Sequence, residues 1–211
     1  MRKNMMRKPG GLLILLLLLM AVSLFGLTAC QPENQSPAEP PAEQAEEPVA
    51  TTDEWTAKLY YVNPAYVDTG DESQPHFIVI DVAMKTTAEQ ERPLALLEQL
   101  KAAASEDVLT MLGEDLQILG VKRSADDPAV IEVDLSSQDL IGSSLTEQML
   151  IGQIAGTLLN NTQVWTDKNS ATVPRPAGVR FLVDGQAAES LMGHFDVSVL
   201  ITMDDTIFKN E

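Results

Sequence analysis

The stretch VIEVDLSSQDLIGSSLTEQMLIGQIAGTLLN, Val130 to Asn160, reads as a strand, a polar connection and a helix in that order. In its first six residues Ile131, Val133 and Leu135 alternate with Glu132 and Asp134, the period of two shown by a strand with one dry and one wet face. From Leu145 to Leu159 the apolar residues cover most sides of a helix, so that helix is predicted to lie well buried. Ser144 followed by Glu147 suits a capping box at its start. Gly152 and Gly156 sit one turn apart. Their polar neighbours Gln148, Gln153 and Thr157 argue against a membrane helix pair and for close contact between helix and sheet.

The flanking sequence extends this alternation of strand and helix. Upstream, WTAKLYYV (55–62) and HFIVIDVAMKT (76–86) read as strands, the second with Ile78, Ile80, Val82 and Met84 on one face and Phe77, Val79, Asp81 and Ala83 on the other. Between them NPAYVDTGDESQP reads as a polar loop. TTAEQERPLALLEQLKAAAS (86–105) is predicted to be a helix capped by Thr87 and Gln90, with Leu94, Leu97, Leu100 and Ala104 at helical spacing. LQILGVKR and AVIEVDL form two further strands joined through SADDP. Downstream, GVRFLVDGQAA alternates around Val179, Phe181 and Val183 and carries the hairpin signal Asp184-Gly185. FDVSVLIT is expected to return to the sheet or wrap its edge. The order predicts an α/β (α+β) fold, a mixed β-sheet of about five strands with two helices packed on one face.

The N-terminus is of another kind. MRKNMMRK is a basic leader, and GGLLILLLLLMAVSLFGLTA an apolar run ending in small residues, the pattern of a secretory signal. Leu27, Thr28 and Ala29 precede Cys30, the one cysteine in the chain, and this tetrapeptide resembles the lipobox of bacterial lipoproteins. That resemblance implies cleavage before Cys30 and its acylation, by palmitate-type chains, as the attachment to the membrane. Each buried methylene contributes about 0.8 kcal/mol, so several chains anchor stably where one does not. Gln31 to Glu54 contains five prolines, seven acids and no base, and is expected to be a disordered tether, extending at up to about 3.1 Å per residue. The expected organisation is therefore a signal peptide at 1–29, a lipidated cysteine and tether at 30–54, a domain at 55–203 and a C-terminal tail at 204–211.

Charge restricts the partners. The net charge is −17; removing residues 1–29, with Arg2, Lys3, Arg7 and Lys8 and no acid, leaves 10 basic against 31 acidic residues, or −21. Such a chain repels phosphate backbones and anionic headgroups, which excludes nucleic acid and leaves the lipid as the membrane contact. The motifs of serine hydrolases, zinc proteases, phosphate loops and dinucleotide folds are lacking. His76 and His194 have no companions at ligand spacing, Glu132 and Asp134 are explained by strand alternation, and Asp204 and Asp205 by a solvated tail. No catalytic residue, metal or cofactor is expected.

The runs VIEVDLSSQDLIGSSLTEQMLIGQIAGTLLN and VRFLVDGQAAESLMGHFDVS resemble the GerMN domain of sporulation and spore-germination lipoproteins. The matching positions are Asp134 in the strand end, Gly142 and Ser143 before the helix, Gly156 and Thr157 within it, Asp184 and Gly185 after the next strand, and Gly193, His194 and Asp196 beyond. The connection TQVWTDKNSATVPRPAG departs from the pattern by its length. The resemblance implies a non-catalytic interaction domain, held at the extracytoplasmic face of the cell membrane, that assists assembly of an envelope or sporulation complex with protein partners. The alternative is a binding module for a cell-wall component or small ligand.

Overall fold

A computed structural model describes residues 53–86, 88–166 and 174–208. The segment expected to be a signal peptide, Cys30 with Leu27, Thr28 and Ala29, most of the segment expected to be a tether, and the expected cap residue Thr87 lie outside the described residues. Among the described residues are six strands: β1 (Asp53–Val62), β2 (Phe77–Thr86), β3 (Ile118–Arg123), β4 (Val130–Leu135), β5 (Gly178–Val183) and β6 (Gln186–Ala187). Three α-helices accompany them there: α1 (Pro64–Thr69), α2 (Arg92–Leu100) and α3 (Ser144–Asn160).

The mixed α/β character holds, but the strands fall into two sheets rather than one. β1 and β2 make an antiparallel ribbon, and β3-β4-β5-β6 a four-stranded sheet in which β4 and β5 run parallel and the other neighbours antiparallel. The parallel pair needs a crossover, and α3 supplies it. The reason for the division lies along β1. Its edge away from β2 is already occupied, by side chains of α3 and the residues after it. Asn161 exchanges two hydrogen bonds with Lys58, its Oδ1 accepting from the N–H at 2.9 Å and its Nδ2 donating to the carbonyl at 2.7 Å. Thr157 Oγ1 accepts from Tyr60 N–H at 3.0 Å, and Gln153 Nε2 donates to Tyr60 O at 3.1 Å. Gln163 Nε2 reaches Thr56 O, and Val62 bridges Leu109. Gln153, Thr157 and Asn161 recur every four residues, so one stripe of a helix does the work of a neighbouring strand.

Close approach makes this possible. A Cβ at Gly152 would lie 2.2 Å from Phe77 Cζ, and one at Gly156 2.6 Å from Tyr60 Cδ1. The bare helix surface lets the rings of Tyr60 and Phe77 lie against the backbone, in the contact expected between helix and sheet. Phe208 completes the cluster, with ring centroids 5.9 Å from Phe77 and 6.3 Å from Tyr60. Residues 204–208 are therefore not simply a solvated tail: Ile207 and Phe208 are buried, and Asp205 accepts from the Thr202 N–H. Upstream, FDVSVLIT rejoins the sheet through one bridge, Ile201 to Val179.

Other element boundaries follow from caps. The stretch expected as a loop, 63–75, contains α1, because Asn63 Oδ1 caps Ala65 N–H, Pro64 sets the first turn and Gly70 closes it at φ 63°. The next helix is shorter than expected. A 3-10 turn at Glu89–Glu91 precedes it, Pro93 fixes its start, and Thr110 Oγ1 takes the Leu100 carbonyl at its end. Its buried face is Leu96, Leu97 and Leu100, with Leu94 and Ala104 outside. α3 is capped by Ser143, whose Oγ accepts from Thr146 N–H, and not by Ser144. That shift of one residue frees Glu147 for another task.

Candidate functional site

Glu147 is the one acid in the apolar run of α3, and its side chain is fully buried. A buried carboxylate needs partners, and the loop after β6 provides five. Oε1 accepts from Ser190 Oγ at 2.7 Å and from the N–H groups of Leu191 and Met192 at 2.8 Å. Oε2 accepts from the N–H of His194 at 2.8 Å and of Phe195 at 3.2 Å. Gly193, at φ 91°, turns the chain between these two sets of donors. Burial alone would raise the Glu147 carboxyl, but the Met192 N–H, the Ser190 hydroxyl and the His194 and Leu191 N–H groups outweigh it and hold the group below the usual glutamate value.

Gly142, Ser143, Gly193 and His194 thus converge at the start of α3. A Cβ at Gly142 would meet Thr146 and, at 2.9 Å, the sulfur of Met192. His194 gives the site only its backbone N–H; its side chain is exposed. Asp196, just beyond, accepts from the hydroxyl and N–H of Ser198, which hold its carboxyl below the usual aspartate value. Asp134, Asp184 and Gly185 gather elsewhere, at the end of β4 and β5. Asp134 Oδ1 accepts from Gly185 N–H at 2.9 Å, and Asp184 Oδ1 from Ser137 N–H at 3.3 Å. With φ of 50° and 78°, Asp184 and Gly185 form the tight left-handed turn their sequence predicts. Gly156 and Thr157 belong to the contact with β1.

These groups share no catalytic geometry. His76 lies in the aromatic core, its ring 4.1 Å from that of Tyr66 and its Nδ1–H donating to Ile207 O at 2.8 Å, apart from the exposed His194. Glu132, on the wet sheet face, lies between Arg180 Nη1 at 3.4 Å and Lys122 Nζ at 3.8 Å, across three adjacent strands. Among the described residues no three His, Cys, Asp or Glu side chains are placed to hold a metal ion, and no helix is long and apolar enough to cross a membrane. Sequence reasoning missed Glu147, Gln153 and Asn161 as working residues. The available signal was a charge or amide at a position where the surrounding helix is apolar.

The sequence model of the family described as Germane, sporulation and spore germination, matches residues 58–189, more than half of the chain; Asp134, Gly142, Ser143, Gly156, Thr157, Asp184 and Gly185 lie within the match, and Gly193, His194 and Asp196 beyond it. The chain belongs to the Germane family. Solved structures similar to this Germane chain include a candidate lipoprotein from Clostridium perfringens, with 18% identity over 75% of this chain and 95% of that one and a TM-score of 0.44. The tandem GerMN domains of the sporulation protein GerM from Bacillus subtilis match with 12% identity, 72% and 47% coverage and a TM-score of 0.48. The first of those domains alone gives 13%, 72%, 99% and 0.49. Comparison with curated protein sequences gives no match.

Proposed function

We propose that this Germane protein is a lipid-anchored envelope protein whose domain is a non-catalytic docking module, assisting assembly of a protein complex in sporulation or germination. What supports the reading is the fate of the family-motif side chains. Asp134, Asp184, Thr157 and Ser143 are all spent on backbone N–H groups of the fold itself. They shape a surface, and leave no nucleophile, base and acid converging on one point. The ribbon offers one edge for that surface: β1 is closed by α3, while β2 pairs with nothing but β1 among the described residues, which suits strand addition by a partner. Cys30 would hold the module at the extracytoplasmic face, raising its effective concentration for partners in the same membrane.

Cys30→Ser tests the anchor and affinity capture tests the docking. The variant is expected to leave the membrane fraction, and the detergent-extracted wild type to bring down a defined set of envelope proteins. A variant that stays membrane-bound removes the anchor; capture of no protein where a control pair associates removes the docking role.

A further inference from the structure

We propose that the groove at the start of α3 takes a basic segment of a partner protein, anchored by an aliphatic or methionine side chain. This rests on the docking role above and names its chemistry. Leu116 and Leu150 form the buried floor, half-buried Met111 and Met192 the walls, and Ile141, 84% exposed, stands at the mouth. The space is about 280 Å³, below the usual range for small-molecule pockets and suited to an anchoring side chain. Methionine walls repack around such an anchor at little cost. The groove is a product of the motif: Glu147 fixes the Met192 backbone, and the absent Cβ of Gly142 makes room for its sulfur.

Charge selects the occupant. Asp115 and Asp139 line the groove, Glu114 adjoins it, and among the described residues no lysine or arginine lines it. A second copy of the chain, at −21 without residues 1–29, is repelled. The protein's own tether, with seven acids between Gln31 and Glu54, is repelled too, as is an anionic bilayer. A cationic segment is drawn in, with its apolar residue reaching the floor.

The test places a photo-crosslinking amino acid at position 141 of the full-length chain in the cells that make it, and in a second strain at position 79 on the open β2 edge. Adducts at 141 are expected on peptides of net positive charge with an aliphatic or methionine residue at the junction. Their yield should fall about tenfold or more when Asp115→Lys and Asp139→Lys are combined, with the melting temperature of the variant checked against wild type. Adducts at 141 to a second copy, the tether, lipid or glycan overturn the proposal. So does a yield indifferent to charge reversal, or labelling at 79 with none at 141. Absence of protein adducts at both positions instead removes the docking role itself.

Discussion

The carboxylate of Glu147 and the backbone N–H of His194 meet at 2.8 Å across 47 residues of chain. Through this bond and four others, α3 fixes the loop formed by residues 190–195. Glu147→Gln keeps the volume but turns one acceptor oxygen into an amide donor facing N–H groups. A buried donor against donors costs far more than an exposed one, so the variant is expected to lose about 3 kcal/mol. Urea unfolding at neutral pH measures it. A loss under about 1 kcal/mol would mean that apolar contacts of Leu191, and the bond from Val197 N–H to Glu189 O, hold the loop unaided.

The same carboxylate sets an acid limit. Its folded value lies below the 4.5 of a free glutamate, so protons bind the unfolded chain more readily than the native one. Its contribution is therefore complete above the unfolded value and is lost as pH falls through the lower folded one. Wild-type stability is expected to drop steeply on acidification below the ordinary carboxylate range, and the Glu147→Gln variant to show a shallower slope there. Equal slopes would place the acid sensitivity in other carboxylates.

Much of this architecture was legible because one principle sufficed for each element. The β4 alternation, the extent of α3 and the Asp184-Gly185 turn are local patterns, and each lies where its period or turn chemistry puts it. What escaped depended on long-range contact. Nothing near Gln153, Thr157 and Asn161 in sequence reveals that they close an edge some 100 residues away, yet this is what splits the sheet. Glu147 was obscured for a different reason: a glutamate three residues after a serine is what a capping box looks like, and the true cap, Ser143, lies one residue earlier. The motif positions were singled out by resemblance alone. Their physical roles became visible only in three dimensions: Asp134, Asp184, Ser143 and Thr157 accept from backbone N–H groups, Gly142 and Gly156 allow close packing, and His194 donates its backbone N–H.

Gly152 sets two effects against each other. Alanine improves helix propensity by about 1 kcal/mol. Its Cβ, however, would fall 2.2 Å from Phe77 Cζ and 2.9 Å from Ile207 Cδ1, both on buried side chains. Overpacking of a filled core costs typically about 1–3 kcal/mol, and a contact this short belongs at the upper end. Gly152→Ala is therefore expected to destabilise the protein by about 1–2 kcal/mol net, read as a lower urea midpoint with an unchanged slope. A stabilised variant would mean that Phe77 and the C-terminal segment shift without cost.

Thr157→Val isolates the bond by which α3 substitutes for a strand. Valine and threonine have nearly the same shape, and their helix propensities differ little, so the change removes one acceptor from an otherwise intact contact. Tyr60 N–H, buried and held by Thr157 Oγ1 at 3.0 Å, loses that acceptor. Such a loss at a buried donor costs about 1–3 kcal/mol, which is the expected destabilisation. Amide hydrogen exchange gives the sharper test. Exchange at Tyr60 should accelerate beyond the change in global stability, whereas Val62, bonded to Leu109 O, should follow the global change alone. Equal acceleration at both would show that α3 holds β1 through ring packing on Gly156, with the threonine hydroxyl incidental.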